Sequence, residues 1–240
     1  RRAGYSNTSF SIDVYSTGTK VTLYVNGVSS GSKSVDDIHK ASYNITLKDG
    51  DNYIEAITTI NGKTIKDAVT IHYTSYPEQL SSSPFSSIYI NVGSNAQYTD
   101  NAGMVWLQDQ PYKKGGYGFV SGVPATLNLK YMIKGTEHTP LHYSYLDSVT
   151  QYKVDVPDGN YDVDLFFIEA EKLKKGDRVF DVSINGQVLI NDLDMADSYG
   201  FCQAVKKTFI LKAEEGKGIT ISFNASKGKP VLSGVSISKK

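Results

Sequence analysis

Aromatic and amide side chains concentrate between residues 98 and 119, in a stretch whose composition could bind a saccharide. An aromatic ring can cover the apolar C–H face of a sugar, while amide and carboxylate groups hydrogen-bond the hydroxyls. Glycines at 115, 116 and 118 permit tight turns, and long connections of this kind commonly carry function. The polar and aromatic residues here are Tyr98, Asp100, Asn101, Trp106, Gln108, Asp109, Gln110, Tyr112, Tyr117 and Phe119. Trp106, Tyr112 and Tyr117 are therefore candidate sugar-binding rings, with core packing as the alternative interpretation.

Motifs of common catalytic sites are incomplete in this chain. Gly27 to Gly31 match the G-x-S-x-G pattern of serine hydrolases, but they follow a hairpin turn and no helix comes after them. Glu169 and Glu171 come nearest to the carboxylate pair of a glycosidase, although nothing in the sequence marks either as a general acid. We predict no catalytic residues, and an independent glycosidase remains an alternative.

Metal-binding patterns are incomplete as well. The four histidines do not stand at zinc-binding spacings, and Cys202 is interpreted as a small apolar residue because the sequence places no base near it. Asp192, Asp194 and Asp197 supply three carboxylates in a short span, without the glycine and final glutamate of a calcium loop. We predict no cofactor, with a structural calcium ion in this loop as the alternative to a solvated polar loop.

Bulk composition excludes several classes of partner. The chain has 25 basic and 25 acidic residues, whereas a nucleic-acid-binding protein presents a concentrated basic face. Apolar runs stay well below the about 20 residues of a membrane-spanning helix. A single cysteine allows no intrachain disulfide. Because the chain begins at Arg1 and enters strand-like sequence at once, we expect a fragment whose targeting segment lies upstream.

Alternation of apolar and polar residues predicts strands in the first part of the chain. Phe10, Ile12 and Val14 alternate with polar residues, as expected for half-buried strands. Dipeptides that tolerate the positive φ angles of tight hairpins separate such runs, at Asn26-Gly27, Asp49-Gly50 and Asn61-Gly62. We predict an immunoglobulin-like β-sandwich over residues 1–75 and a serine- and proline-rich linker over residues 76–86.

The same alternation continues in residues 87–240. Tyr161, Val163, Leu165 and Phe167 point to one face of a strand, and Asn185-Gly186 closes a hairpin. Helical periodicity is weak apart from a short turn near residues 193–198. The predicted fold class is therefore all-β, with two tandem β-sandwiches.

Eight short motifs of the second sandwich occur in the order found in a known family. They are Ile90-Asn-Val-Gly93, Tyr98-Thr-Asp100, Val105-Trp-Leu-Gln-Asp109, Gly135-Thr-Glu137, Val156-Pro-Asp-Gly-Asn-Tyr161, Phe167-Ile-Glu169, Arg178-Val-Phe-Asp-Val-Ser-Ile-Asn-Gly186 and Asn191-Asp-Leu-Asp-Met195. On these residues the chain resembles the malectin-like carbohydrate-binding modules. The resemblance implies a galactose-binding-like β-sandwich (a jelly roll) that holds sugar with loop aromatics and an aspartate.

The resemblance also implies site residues, position by position. Trp106 and Tyr117 fall where the family places ligand-facing aromatics, and the loop of Asp194 and Asp197 is where a sugar-binding carboxylate is expected. His142 replaces a tyrosine common in the family, which indicates a different sugar or a lost site. The predicted carbohydrate-binding residues are Trp106, Tyr117, Tyr112, Gln108, Asp194, Asp197, His142 and Tyr145.

The first sandwich resembles immunoglobulin-like modules near the C-terminus of glycoside hydrolase family 2 enzymes, many of which are β-galactosidases. The carrying residues are Val21-Thr-Leu-Tyr-Val-Asn-Gly27, Tyr53-Ile-Glu-Ala56 and the strand at residues 67–73. The two modules imply a non-catalytic region that binds oligo- or polysaccharide, with a catalytic domain upstream in the same polypeptide. A bacterial parent in the periplasm or at the cell surface is expected. The alternative is a purely structural module that packs against, or oligomerises, the catalytic domain.

Overall fold

The chain is an all-β protein, and the predicted fold class is confirmed. The computed structural model describes residues 1–82 and 84–240, which divide into two compact units, Arg1–Pro77 and Glu78–Lys240. One short α-helix, α1 at Met195–Ser198, is found in this part of the chain, within the turn that the sequence indicates. None of the helices described is long and apolar enough to cross a membrane.

The first unit is a small sandwich of two β-sheets. Its strands are β1 Arg2–Tyr5, β2 Ser9–Tyr15, β3 Lys20–Val25, β4 Val28–Ser34, β5 Lys40–Thr46, β6 Gly50–Ile60 and β7 Lys63–Tyr76. One sheet has the order β1-β7-β6-β3-β4, in which β1 runs parallel to β7, and the other pairs β2 with β5. Leu23 and Ile54 from the first sheet pack with Tyr43 and Ile45 from the second. These layers bury the apolar face that alternation predicts.

The boundary between the units falls inside the segment interpreted as a linker. Strand β7 extends to Tyr76, and a 3₁₀ turn at Leu80–Ser82 follows. The Leu80 side chain is buried, and its backbone N–H donates to the Gly115 carbonyl at 2.7 Å. Residues from Glu78 onward therefore belong to the second unit.

The second unit contains two larger sheets. Its strands are β8 Ser87–Asn91, β9 Tyr98–Thr99, β10 Val105–Gln108, β11 Tyr117–Thr126, β12 Ser144–Val154, β13 Gly159–Ile168, β14 Val179–Ile184, β15 Gln187–Leu193, β16 Ala204–Ala213, β17 Ile219–Lys227, β18 Val231–Leu232 and β19 Gly234–Lys239. One sheet has the order β16-β13-β19-β8-β10-β9. The other has the order β11-β12-β17-β14-β15, with β18 paired to β12.

Strand β13 is the centre of this unit. Its inward side chains, Tyr161 to Phe167 at every second position, are fully buried, as alternation predicts. The ring of Phe167 lies 6.3 Å from that of Phe180 on β14, so the two sheets pack face to face.

The opposite side of β13 is covered by Trp106 of β10 and by the long connection between β11 and β12. Phe166 packs with Trp106 and with Leu141 of a 3₁₀ turn at Thr139–His142. Ile168 packs with Leu127 and other residues of the same connection. This connection brings loop residues over the end of β13, where the candidate sites lie.

Candidate functional site

Trp106 is a core residue. It lies in strand β10 with 3% of its surface exposed. Its ring meets Phe166 edge-on at 5.3 Å and stacks on Tyr98 at 5.9 Å, while its indole N–H donates to Asp100 at 2.9 Å. The expectation of an open, ligand-facing Trp106 is therefore wrong, because every part of the indole has a partner inside the protein.

Tyr117 is also buried, with 4% of its surface exposed. It begins strand β11, and its hydroxyl donates to the Gln108 carbonyl at 2.9 Å. The expectation that Tyr117 offers an open face is wrong for the same reason. The Gln108 side chain is exposed on β10, so it is accessible, but neither predicted aromatic accompanies it at the surface.

Tyr112 is half-buried and held by an internal hydrogen bond. Its hydroxyl donates to Asp155 at 2.8 Å, and the Lys153 ammonium lies 5.3 Å from its ring centre. Burial, followed by the neighbouring Asp155, raises the pKa of Tyr112 to about 12. The hydroxyl is thus used within the protein.

The two predicted aspartates lie at the start of α1. Asp194 is the N-cap, and its carboxylate accepts from the backbone N–H of Asp197 at 3.0 Å and of Gly176 at 2.6 Å. Asp197 is exposed and pairs with Lys175 at 3.1 Å. Among residues 1–82 and 84–240, no group of three or more His, Cys, Asp or Glu side chains is arranged to hold a metal ion.

Tyr145 is buried beside a charged cluster. Arg178 pairs with Glu169 at 3.2 Å and with Glu171 at 3.3 Å, and both Arg178 and Glu169 are buried. Burial raises the pKa of Glu169, and the Arg178 charge partly offsets that rise. A carboxylate enclosed in an ion pair cannot reach a glycosidic bond, which argues against Glu169 as half of a catalytic pair.

A group of surface aromatics, which the sequence did not single out, lies at the loop end of the second unit. We call it the aromatic loop cluster; it comprises Tyr131 and Phe201, together with Tyr199, which precedes Phe201 by two residues in the chain. Tyr131 and Phe201 are half-buried and meet edge-on with ring centres 4.9 Å apart. Each ring has a lysine ammonium nearby. The Lys172 ammonium lies 5.6 Å from the ring centre of Tyr131 and 5.7 Å from that of Phe201. The Lys130 ammonium lies 5.1 Å from the ring centre of Tyr131, and the Lys207 ammonium lies 5.3 Å from that of Tyr199. The sequence signal is weak because the rings come from two distant segments.

A second feature is a surface depression next to Trp106, which we call the His142 depression. It has a volume of about 260 Å³ and is lined by Thr136, Glu137, His138, His142, Phe166 and Lys206, among others. His142 is 1% exposed, and neither of its ring nitrogens has a hydrogen-bond partner among the residues that the structure describes. Burial lowers the pKa of His142 to about 4, with a smaller contribution from His138. Two predicted residues, Trp106 and His142, thus meet around the Phe166 ring.

Comparison with solved structures extends over the whole chain. The chain is similar to a β-glucuronidase from Bacteroides uniformis, with 25% identity, a TM-score of 0.92 and coverage of 100% of this chain but 29% of that one. A β-glucuronidase 2 from the same organism, covalently bound to cyclophellitol-6-carboxylate aziridine, matches with 24% identity, a TM-score of 0.88 and coverage of 100% and 28%. The ectodomain of ANX1 from Arabidopsis thaliana shares the fold more distantly, with 13% identity, a TM-score of 0.52 and coverage of 97% and 81%.

The chain therefore spans less than a third of the length of the two bacterial enzymes. No curated protein sequence matches it. The predicted resemblance of its modules to the C-terminal part of a glycoside hydrolase family 2 enzyme is confirmed.

Family matches divide the chain as the two units do. Residues 86–236 match the Malectin domain, and residues 7–66 match a domain of unknown function (DUF4982). Since the first match covers more than half of the chain, the chain belongs to the Malectin domain family.

Proposed function

We propose that this chain is a non-catalytic, carbohydrate-binding accessory region of a bacterial glycoside hydrolase. Membership of the Malectin domain family supports saccharide binding, and the match along the full chain to part of a much longer glucuronidase supports a hydrolase parent. The catalytic domain would lie outside this chain, and the parent would act in the periplasm or at the cell surface. The names of the relatives favour a parent active on β-glucuronides over the β-galactosidase suggested by the sequence.

The aromatic loop cluster is the surface that we assign to saccharide binding. The single observation that carries this assignment is the half-exposed pair of Tyr131 and Phe201 with a lysine at each ring. A ring face can cover sugar C–H groups, and an adjacent ammonium can donate to hydroxyl or carboxylate oxygens. Two neighbouring side chains, Leu129 and Met132, are each 77% exposed and widen the apolar surface. Affinity is expected to be modest, because an open surface buries little of a sugar.

Calorimetric titration with oligosaccharides of galactose, glucose and glucuronic acid tests this assignment. Tyr131→Ala and Phe201→Ala should each weaken binding about tenfold or more, equivalent to about 1.4 kcal/mol, because each removes an aromatic contact face. Tyr15→Ala is a matched control, since Tyr15 is exposed in the first unit and should leave the affinity unchanged. Unaltered affinity in both cluster variants would show that sugar binds elsewhere.

A structural role is the second candidate, and one observation favours it. The first unit has an apolar groove of about 320 Å³, lined in part by Tyr15, Ile60 and Ile65. Tyr15 and Ile65 are largely exposed, and uncovered apolar surface of this kind suits packing against another domain. Failure of every saccharide to bind would favour this role. Turnover of nitrophenyl glycosides by the chain itself would instead restore the glycosidase alternative, which we do not expect.

A further inference from the structure

A short segment of the connection between β11 and β12 turns two large apolar side chains out to solvent. We call residues 128–134 the 128–134 loop. Its Leu129 and Met132 are each 77% exposed, more than any other large apolar side chain in the part of the chain that the structure describes. Single exposed apolar residues are common, whereas a group of them with a polar rim marks a surface that binds a protein or a membrane.

The 128–134 loop is anchored at both ends, so its tip is held in place. Leu127, just before it, and Ile133, near its end, are buried in the same small core. The backbone N–H of Lys134 donates to the Cys202 carbonyl at 2.9 Å. The two exposed side chains are therefore presented by a preformed turn, and a partner need not order the loop when it binds.

The rim of this surface is positively charged. Lys130 and Lys134 are exposed, and residues 128–136 contain no acidic side chain. Lys172 adds a third ammonium, which lies 5.6 Å from the ring centre of Tyr131 in the same loop. The loop thus combines exposed aliphatic groups, a half-buried tyrosine and flanking lysines.

This combination selects among the possible partners. Lysine is depleted in the centres of protein interfaces, which favour aromatic residues and arginine. A saccharide requires flat rings and hydrogen-bonding groups, and the Leu129 and Met132 side chains supply neither. A lipid surface matches better, because aliphatic groups enter the acyl region while lysines attract anionic headgroups and keep their charges in water. Tyrosine also suits the boundary between headgroups and acyl chains.

We propose that the 128–134 loop docks the protein onto an anionic lipid surface. Leu129 and Met132 enter the outer part of the acyl region, and the ammonium groups of Lys130, Lys134 and Lys172 lie among the phosphate headgroups. The protein would lie on the membrane by this loop. Binding is expected to be weak and reversible, because two inserted side chains bury little apolar surface. This role goes beyond saccharide binding and does not depend on it.

Co-sedimentation of the full chain with lipid vesicles tests the proposal. One series of vesicles contains phosphatidylglycerol and phosphatidylethanolamine, and the other contains phosphatidylcholine alone. We expect saturable binding to the first series and at least about tenfold weaker binding to the second, because only the first attracts the lysines. Raising NaCl from about 0.1 M to about 0.5 M should weaken binding to the anionic vesicles, because salt screens that attraction.

Variants of the loop separate insertion from adsorption. Leu129→Ser combined with Met132→Ser should weaken binding to the anionic vesicles at least about tenfold, since it removes the apolar groups and keeps the charges. The variant should fold, because both side chains lie outside the core. Val28→Ser is the matched control, since Val28 is 71% exposed on β4 of the first unit and should leave vesicle binding unchanged.

A fluorescent probe at the tip reports insertion directly. Met132→Trp should shift its emission to shorter wavelength when anionic vesicles are added, and brominated lipid should quench that emission. The buried Trp106 supplies a constant background, which the parent protein measures.

Three results would overturn the proposal. They are absence of binding to anionic vesicles by the parent, equal binding by the double serine variant, and a Met132→Trp emission that vesicles leave unchanged. A dimer of the parent that the double serine variant abolishes, seen by analytical ultracentrifugation without vesicle binding, would assign the loop to contact between two copies instead. Saccharide titration without vesicles is a separate measurement, so failure of either proposal leaves the other standing.

Discussion

Single residues of the second unit differ in whether the fold satisfies their polar groups. Asp109 is half-buried and accepts hydrogen bonds from Gly93 at 2.8 Å, Gln110 at 2.8 Å and Tyr152 at 2.7 Å. Its role is complete within the fold, since three donors hold the carboxylate. His142 is more deeply buried, and its ring nitrogens have no such partners among the residues that the structure describes. Asp109 is therefore a structural carboxylate whose hydrogen bonds are made within the fold, whereas the buried His142 imidazole is an exception to the usual pairing of buried polar groups.

The pH dependence of stability should reveal His142. Its pKa is about 4 when folded and near 6.5 when exposed, so the unfolded chain binds the proton more readily. The contribution of His142 to the free energy of unfolding is fully present above pH 6.5 and is lost as the pH falls towards 4. The loss is at most about 3 kcal/mol. Asp109 has the opposite effect on the pH dependence, because burial raises its pKa to about 6. Its contribution to the free energy of unfolding is lost as the pH rises.

The His142 contribution is therefore measured as a difference between the parent and His142→Leu. Urea unfolding at pH 7 and pH 4.5, followed by fluorescence of Trp106, the single tryptophan, gives that difference. The parent should lose more stability than the variant on acidification, since the Asp109 effect cancels between them. Equal losses would mean that the His142 ring becomes protonated as easily in the folded chain.

At the scale of elements, strand β10 is short but buried along most of its length. Val105, Trp106 and Leu107 are all buried, and β10 pairs in parallel with β8 through Leu107 and Gln108. With β9 it forms the edge of a six-stranded sheet. Its large indole anchors this edge to the outer side of β13, so the strand stabilises the floor next to the His142 depression.

Trp106→Ala should therefore reduce stability. Truncation of a buried tryptophan typically costs about 3–5 kcal/mol, through lost contacts and the cavity left behind. Gln108→Ala on the same strand is the control and should change stability by less than about 0.5 kcal/mol, since Gln108 is exposed. Denaturant unfolding followed by circular dichroism measures both. A stable Trp106→Ala variant that has lost sugar binding would instead support the ligand-facing role predicted from the sequence.

The whole molecule consists of two units, each with its own apolar core. Ile54 is buried in the first core, with Leu23 and Tyr43. Ile54→Ala should destabilise the first unit by about 2–5 kcal/mol and leave the second unit unaffected. Circular dichroism should show an unfolding transition at a lower denaturant concentration than in the parent. The unfolding midpoint followed by Trp106 fluorescence and the saccharide affinity, which both report on the second unit, should not change. A parallel shift of the fluorescence midpoint would show that the units unfold together.

Much of the architecture follows from local sequence. Alternation in Tyr161–Phe167 and turn dipeptides such as Asn26-Gly27, with φ angles of 52° and 80°, predict strands and hairpins because both signals act between neighbouring residues. The eight short motifs of the second unit also indicate the Malectin family. The surroundings of the candidate site residues were predicted less well: Asp194 and Asp197 lie at the start of α1, and the rings of Trp106 and Tyr117 are buried.

The reason is that a strand pattern shows which side chains share a face, and not what covers that face. The sequence around Trp106 would read the same whether the ring lay in an open groove or beneath a loop. In the structure, Trp106 packs with Phe166 and with Leu141 of the long connection, so it is buried. Tyr131 and Phe201 become neighbours only when distant loops meet at one end of the sandwich. By itself the sequence determined the strands, the turns and the family. Tertiary packing decided which aromatic and polar groups stay open to a ligand, because burial depends on contacts between segments far apart in the chain.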